Sequence, residues 1–277
     1  MKEILIAVAV LGGLGLVFGL VLALASKVFH VEEDPRLAQL NDCLPGANCG
    51  GCGYPGCGGY AQAVLEGAAP LGRCASGGSE ASEKMAAILG VEAVKVERQV
   101  AMVRCSGNTF TDEHGQPRGA KRKGYYEGLL DCAAATKVAG HGHIACKFGC
   151  LGLGNCVKAC PNEAISIVAG VARVDEAKCT GCMSCATACP RNLIIPVRPN
   201  RNVVIACASL AKGAVTTRSC TVGCIGCGLC KKICPKGAIS IVNHLAVIDY
   251  DKCDNCGKCA TVCPKHLIRD SNVENLP

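Results

Sequence analysis

Tryptophan is absent from this sequence and only 3% of its residues are aromatic. The flat side chains that stack on bases are therefore missing, and so is most of the bulk of an ordinary hydrophobic core. The first shortage excludes a nucleic-acid reader. The second means that something other than packed apolar side chains must hold the chain together. Charge is sparse as well, at 18% of residues, and the formal net charge of +7 describes a mildly basic solvated surface. No dinucleotide fingerprint opens a helix after a strand: Gly13-Leu14-Gly15 lies inside an apolar run, where glycine serves helix packing. No Ser/His/Asp or Cys/His set comes with a suitable base, so no catalytic residue is assigned. His141 and His143, flanking Gly142, read as surface-loop histidines.

In place of aromatics the chain has sulfur and glycine, with 25 cysteines and 34 glycines in 277 residues. Disulfides require an oxidising compartment, whereas iron–sulfur thiolates require a reducing one, and the cysteine spacing selects the second. Cys224, Cys227, Cys230 and Cys234-Pro235 form one Cys-x2-Cys-x2-Cys-x3-Cys-Pro run, and Cys253, Cys256, Cys259 and Cys263-Pro264 form another. In the two-cluster bacterial ferredoxin pattern, the first three thiolates of a run hold one 4Fe-4S cluster and the fourth crosses to the neighbouring one. That pairs Cys263 with Cys224, Cys227 and Cys230, and Cys234 with Cys253, Cys256 and Cys259. Structural zinc has no use for the third cysteine in register or for the crossed fourth.

The same pattern occurs earlier at a constant offset of 74 residues, from Cys146 to Cys220. Cys146, Cys150, Cys156, Cys160, Cys179, Cys182, Cys185 and Cys189 map onto Cys220, Cys224, Cys230, Cys234, Cys253, Cys256, Cys259 and Cys263. The linking segment repeats too, Ala164-Ile-Ser-Ile-Val against Ala238-Ile-Ser-Ile-Val, the mark of a duplicated module. One ligand position differs, because Leu153 stands where the copy has Cys227. Two readings stay open: Cys146 completes a set with Cys150, Cys156 and Cys189, or an iron is dropped to leave a 3Fe-4S cluster. A thiolate four residues before Cys150 favours the first.

Upstream, Cys49, Cys52, Cys57 and Cys74 lie in and beyond a glycine-rich loop that lets thiolates converge, which predicts a further 4Fe-4S site. A short helix is expected from Tyr60 to Glu66, and another from Ser79 as N-cap to Leu89 with Gly90 as its stop. Alternation from Val94 to Met102 predicts strand. Five sites of four ligands leave Cys43, Cys105, Cys132, Cys207 and Cys220. Cys43 reads as a small buried residue. Cys105, Cys132, Cys207 and Cys220, each lying before a ferredoxin unit, form a candidate sixth cluster, against the simpler account of buried remnants of duplication.

Residues 4–26 form an uncharged run long enough to cross a ~30 Å hydrocarbon core, which predicts one transmembrane helix in contact with the lipid bilayer. Gly12, Gly15 and Gly19 on one side of it would pack against a partner helix. The expected architecture is α+β: transmembrane helix 1–27, linker 28–41, cluster module 42–90, connecting region 91–140, ferredoxin-like unit 141–200, linker 201–219 and ferredoxin-like unit 220–277.

Taken together, the N-terminal apolar helix, the stretch CGGCGYPGC (49–57), the tandem ferredoxin units and the stretch GCIGCGLCKKICP (223–235) resemble the RnfB family, the B components of the Rnf ion-translocating ferredoxin:NAD oxidoreductases. The resemblance covers essentially the whole chain and is to the longer, two-unit members. It implies an electron-relay subunit, with no substrate-converting site of its own, that takes electrons from soluble reduced ferredoxin. Flavins and the NAD site would belong to other, membrane-bound subunits. It implies a bacterial inner-membrane, single-pass protein with its bulk on the cytoplasmic side. Lys121, Arg122 and Lys123, or Lys231 and Lys232, would steer an acidic ferredoxin. The competing reading is a tethered polyferredoxin serving a non-pumping enzyme.

Overall fold

A run from Lys2 to Val28 with no proline, rich in leucine and alanine, winds into one helix, α1 (Lys2–Val28), despite four glycines. Its described side chains, from Leu11 to Leu24, are exposed. Among the described residues no helix is long and apolar enough to cross a membrane, so the expected transmembrane helix over 4–26 is corrected, and with it the single-pass topology. Among the described residues, nothing beyond α1's own adjacent backbone lies within 4 Å of a Cβ at Gly12, Gly15 or Gly19.

The computed structural model describes residues 2–28, 34–107, 118–138, 140–199 and 203–270. Parts of both expected linkers (29–33, 201–202), of the connecting region (108–117, 139) and the last residues of the second unit (271–277) lie outside the described residues.

Within the expected first linker, Pro35 at the first turn and Asp34, which accepts a hydrogen bond from the Arg36 amide (2.9 Å), start a helix, α2 (Pro35–Asp42). It packs with α3 (Gly56–Leu65) and α4 (Gly78–Leu89) around Leu40, Tyr60 and Met85. Gly90 ends α4 in the left-handed conformation, at φ 68°. Ser79, expected as its N-cap, bonds across to Val96 instead, its Oγ donating to the Val96 carbonyl at 2.9 Å. That bond fixes residues 94–99 as a non-strand connector, so the predicted strand is confined to β1 (Val100–Val103).

From there the duplication shapes the fold. The first unit contains α5 (Cys132–Lys137), α6 (Asn155–Lys158), β2 (Ile165–Val168), β3 (Val171–Val174), α7 (Ser184–Thr187) and β4 (Ile194–Val197). The second contains β5 (Val203–Ile205), α8 (Gly213–Ser219), α9 (Leu229–Ile233), β6 (Ile239–Val242), β7 (Leu245–Ile248), α10 (Lys258–Thr261) and β8 (Ile268–Asp270). The hairpins β2–β3 and β6–β7 have equivalent registers, Ile165 opposite Val174 and Ile239 opposite Ile248. Each unit also recruits an incoming strand against its last one: β1 pairs antiparallel with β4, and β5 with β8. The two units have separate apolar clusters that share Tyr250 at their boundary.

The tight turns leave no room for side chains. A Cβ on Gly152, which sits at φ +69°, would lie 2.4 Å from the Gly170 carbonyl oxygen. Gly152→Ala should therefore destabilise the first unit by about 2 kcal/mol through overpacking and left-handed strain, seen as a thermal midpoint several degrees lower in anaerobic protein. An unchanged midpoint would show that the hairpin yields freely.

Candidate functional site

Among the described residues the cysteines gather in groups, four of which line hollows. Cys49, Cys52, Cys57 and Cys74 line an open hollow of about 370 Å³. The Asn48 side-chain oxygen accepts from the Cys57 amide (2.8 Å), while the Tyr60 hydroxyl donates to the Pro70 carbonyl (3.0 Å) and so ties α3 to the loop bearing Cys74. Cys182 borders the same hollow. Ser184 Oγ donates to the Cys49 carbonyl (3.3 Å) and Ser76 Oγ to Thr180 Oγ1 (3.3 Å), seating the module on the first ferredoxin unit.

Cys160, Cys179, Cys182 and Cys185 form the second group. The Ala164 amide donates to Cys160 Sγ and the Ala101 amide, from β1, to Cys179 Sγ, both at 3.3 Å. Burial first, then the proximity of Cys182, Cys179 and Cys160, pushes the Cys185 thiol up to about 11.

The third group bears on the position of Leu153. Cys150, Cys156 and Cys189 line a hollow of about 400 Å³ together with Cys132, not Cys146. Asp131 caps α5 by accepting from the Ala134 amide (2.7 Å), and Asn155 on α6 bonds both to Asp131 Oδ2 (3.0 Å) and to the Cys132 amide (2.6 Å). That clasp carries Cys132 to Cys156. Burial, then the neighbouring Cys150, Cys132 and Cys189, pushes the Cys156 thiol up to about 12.

Cys146 lies instead with Cys105, Cys207 and Cys220 around a hollow of about 350 Å³ between the two units. Of the expected extra set, Cys105, Cys207 and Cys220 line this hollow, and Cys132 lines that of Cys150, Cys156 and Cys189. The arrangement has an internal symmetry. Cys105 follows β1 and Cys207 follows β5, each two residues past its strand; the Arg104 amide donates to the Leu193 carbonyl, as Ala206 does to Leu267. The Cys150 amide donates to Cys105 Sγ and the equivalent Cys224 amide to Cys207 Sγ, each at 3.4 Å. Burial drives the Cys105 thiol up to about 12 and the Cys220 thiol up to about 11.

In the second unit Cys224, Cys227, Cys230 and Cys263 line a hollow of about 360 Å³. Cys253 and Cys259 stand with Cys234, whose Sγ accepts from the Ala238 amide (3.3 Å), while the amide of the exposed Cys256 donates to Asp254 Oδ1 (3.2 Å). Burial, joined by the charges of Cys230, Cys253 and Cys234, pushes the Cys259 thiol up to about 11. Cys43 joins no group and donates to the Gln39 carbonyl at 3.2 Å.

Among the described residues no three His, Cys, Asp or Glu side chains close on a single metal ion. The hollows have nearly equal volumes, are ringed by thiols, and receive backbone N–H groups directed at sulfur, which suits a bulky iron–sulfide core. Arg104 and Ser106 line the hollow between the units, and among the described residues Arg104 Nε and Ser106 Oγ are buried without hydrogen-bond partners, donors that fit sulfide or thiolate acceptors. Sequence reasoning did not single out these two residues and grouped Cys132, not Cys146, with Cys105, Cys207 and Cys220. The available signal was the shared pattern of an apolar strand followed by cysteine two residues on, at 100–105 and 203–207.

The comparisons with known proteins agree with this chemistry. A family described as an Fe-S cluster family matches residues 44–76, a 4Fe-4S binding domain matches 171–194, and a 4Fe-4S dicluster domain matches 223–267. The chain is 41% identical over 254 residues to an Acetobacterium woodii protein named as the B component of a Na(+)-translocating ferredoxin:NAD(+) oxidoreductase complex, covering 91% of this chain and 74% of that one. It is 40% identical to the Methanosarcina acetivorans B component of an ion-translocating oxidoreductase complex, over 91% of this chain and 93% of that one. It is also 40% identical to the Clostridium ljungdahlii B component of a proton-translocating ferredoxin:NAD(+) oxidoreductase complex, over 91% and 87%.

The thiol groupings give a direct test of the exchange between the two cysteines. Cys132→Ala should abolish the signal of a first-unit cluster and lower the iron content by about four per chain, out of about 24 for six four-iron sites. If Cys146 ligates a cluster between the units, that cluster should stay intact in Cys132→Ala, and Cys146→Ala should do the reverse. Iron analysis with EPR on anaerobic protein reads both; loss of the same signal in both variants would refute the assignment.

Proposed function

Because the chain belongs to the RnfB family, the B components of ion-translocating ferredoxin:NAD oxidoreductase complexes, we propose that it carries electrons through six 4Fe-4S clusters in a fixed linear order. It is an iron–sulfur electron-transfer subunit that works with the other subunits of that complex. When bound, the clusters supply one-electron storage at each group of thiols. The order follows from residues shared between neighbours. Cys182 borders the hollow of the N-terminal module. Cys185 contributes to the electrostatic environment of Cys156. Cys150 donates to Cys105, Cys224 donates to Cys207, and Cys230 contributes to that of Cys259.

The observation that carries this reading is the group Cys105, Cys146, Cys207 and Cys220, which draws thiols from both sides of the unit boundary. Without a cluster there, transfer between the units would have to skip a position. Cys105→Ala should lower iron by about four per chain and slow electron passage from the second unit to the first by at least tenfold, measured by stopped-flow absorbance. Unchanged iron content would remove the sixth cluster.

Electron input belongs at the second unit, with soluble reduced ferredoxin as donor. Cys227 and Cys256 are exposed there, and Lys231 and Lys232 stand exposed on α9 between Cys230 and Cys234. Lys121, Arg122 and Lys123 are exposed too, but Lys123 is engaged by the Gly140 carbonyl. The reducing chemistry that thiolate-held clusters need favours a cytoplasmic location for these units in a membrane-associated complex. Lys231→Glu with Lys232→Glu should cut the rate of ferredoxin oxidation severalfold at low ionic strength and flatten its salt dependence. An unaltered salt profile would dismiss this surface as the docking site.

A further inference from the structure

The hollow between the two ferredoxin units is nearly symmetric in its thiols but not in its surroundings. On the first-unit side Cys105 is flanked by Arg104 and Ser106; at the matching places around Cys207 stand Ala206 and Ala208. Arg104 and Ser106 line this hollow, and among the described residues Arg104 Nε and Ser106 Oγ are buried with no hydrogen-bond partner. A buried N–H or O–H left unpaired costs roughly 1–3 kcal/mol, so such atoms point to an acceptor in the space they face. Two more guanidinium groups hold the ligand loops from behind. Arg173 Nη1 donates to the Cys105 carbonyl and Arg191 Nη1 to the Cys146 carbonyl, both at 3.0 Å. Both arginines are half-buried, and among the described residues neither makes an ion pair with a carboxylate.

The copy lacks this concentration of charge. Offset by 74 residues, Arg173 corresponds to Val247 and Arg191 to Lys265. Lys265 lines the adjoining hollow of Cys224, Cys227, Cys230 and Cys263 as its counterpart Arg191 lines that of Cys150, Cys156 and Cys189, so Arg104 and Arg173 are the cations that the copy replaces by Ala206 and Val247. Adding an electron increases the negative charge of a thiolate-ligated cluster. Fixed positive charge and hydrogen bonds to sulfur therefore stabilise the reduced form more than the oxidised one, and raise the potential.

We propose that Arg104 and Ser106 donate hydrogen bonds to a cluster held by Cys105, Cys146, Cys207 and Cys220, and that, with Arg173 and Arg191, they set its potential above that of the adjacent Cys224 cluster. This rests on the six-cluster reading. The boundary between the units is then a downhill step: an electron arriving from the second unit settles at the junction, and return toward the ferredoxin side is disfavoured. Arg104 and Ser106 are positioning and tuning residues, since the thiolates do the ligating.

The test is an EPR-monitored redox titration of the full-length, cluster-loaded chain under anaerobic conditions, with iron content measured on every sample. Arg104→Gln and Ser106→Ala should keep their iron and move one midpoint, that of the signal lost in Cys105→Ala, to lower potential, leaving the others in place. Ser106→Thr, which keeps the hydroxyl, should restore the parental midpoint. Retained iron with no midpoint displaced overturns the tuning role, and so does a uniform displacement of all of them. Should Arg104→Gln shed iron, the Ser106→Ala and Ser106→Thr pair decides: a lowered and then restored midpoint supports the proposal, and two parental midpoints overturn it. Full iron content in Cys105→Ala would defeat the six-cluster reading itself, a result separate from either outcome.

Discussion

The structure depends on directing thiol sulfur inward. With no tryptophan and 3% aromatic residues, each small unit has too little apolar bulk to stabilise itself. Its buried residues are short aliphatics such as Val171, Ala172, Ile239 and Ala246, with cysteines interleaved among them. Inward-facing thiols bring their own difficulty. Burial holds those of Cys105 and Cys156 far above the ordinary thiol range, so the metal-free chain favours neutral sulfur, and ligation has to expel the protons. Metal binding and folding are in this way a single equilibrium.

Continuity along the chain of sites follows from the same economy of size. The units are so small that the backbone of one cluster loop serves as hydrogen-bond donor to the sulfur of the next, as Cys150 does for Cys105 and Cys224 for Cys207. Two neighbouring sites thus share one rigid peptide. The N-terminal module is fitted just as closely, since a Cβ at Gly51 would fall 2.2 Å from the Cys182 carbonyl oxygen. Close backbone contact of this kind leaves little slack between sites.

Duplication explains both the regularity of the molecule and its asymmetry. Cys146 and Cys220 are equivalent in the repeat and meet face to face at the boundary, where one copy alone would offer an incomplete set. Cys105 and Cys207 complete that set from strands that sit outside the 74-residue period. The residues around them have diverged, Arg104 and Ser106 on one side against Ala206 and Ala208 on the other, and that divergence gives two similar halves different electrical surroundings.

The sequence by itself determined the chemistry: ligand spacing within a ferredoxin run is local, so the ferredoxin runs and the Cys49 to Cys74 module could be read from residue intervals alone. Hairpin registers followed from the repeat for the same reason. The folded chain decided which distant cysteines meet. Cys132 reaches Cys156 through the Asp131 and Asn155 clasp, and Cys146 turns toward Cys105, pairings that no interval encodes because they rest on side-chain hydrogen bonds and on strand pairing across about ninety residues (β1 with β4). The N-terminal segment shows the opposite limit. Its composition announced a helix, and α1 formed, but whether a helix spans a bilayer depends on its length and surroundings, which local propensity does not set.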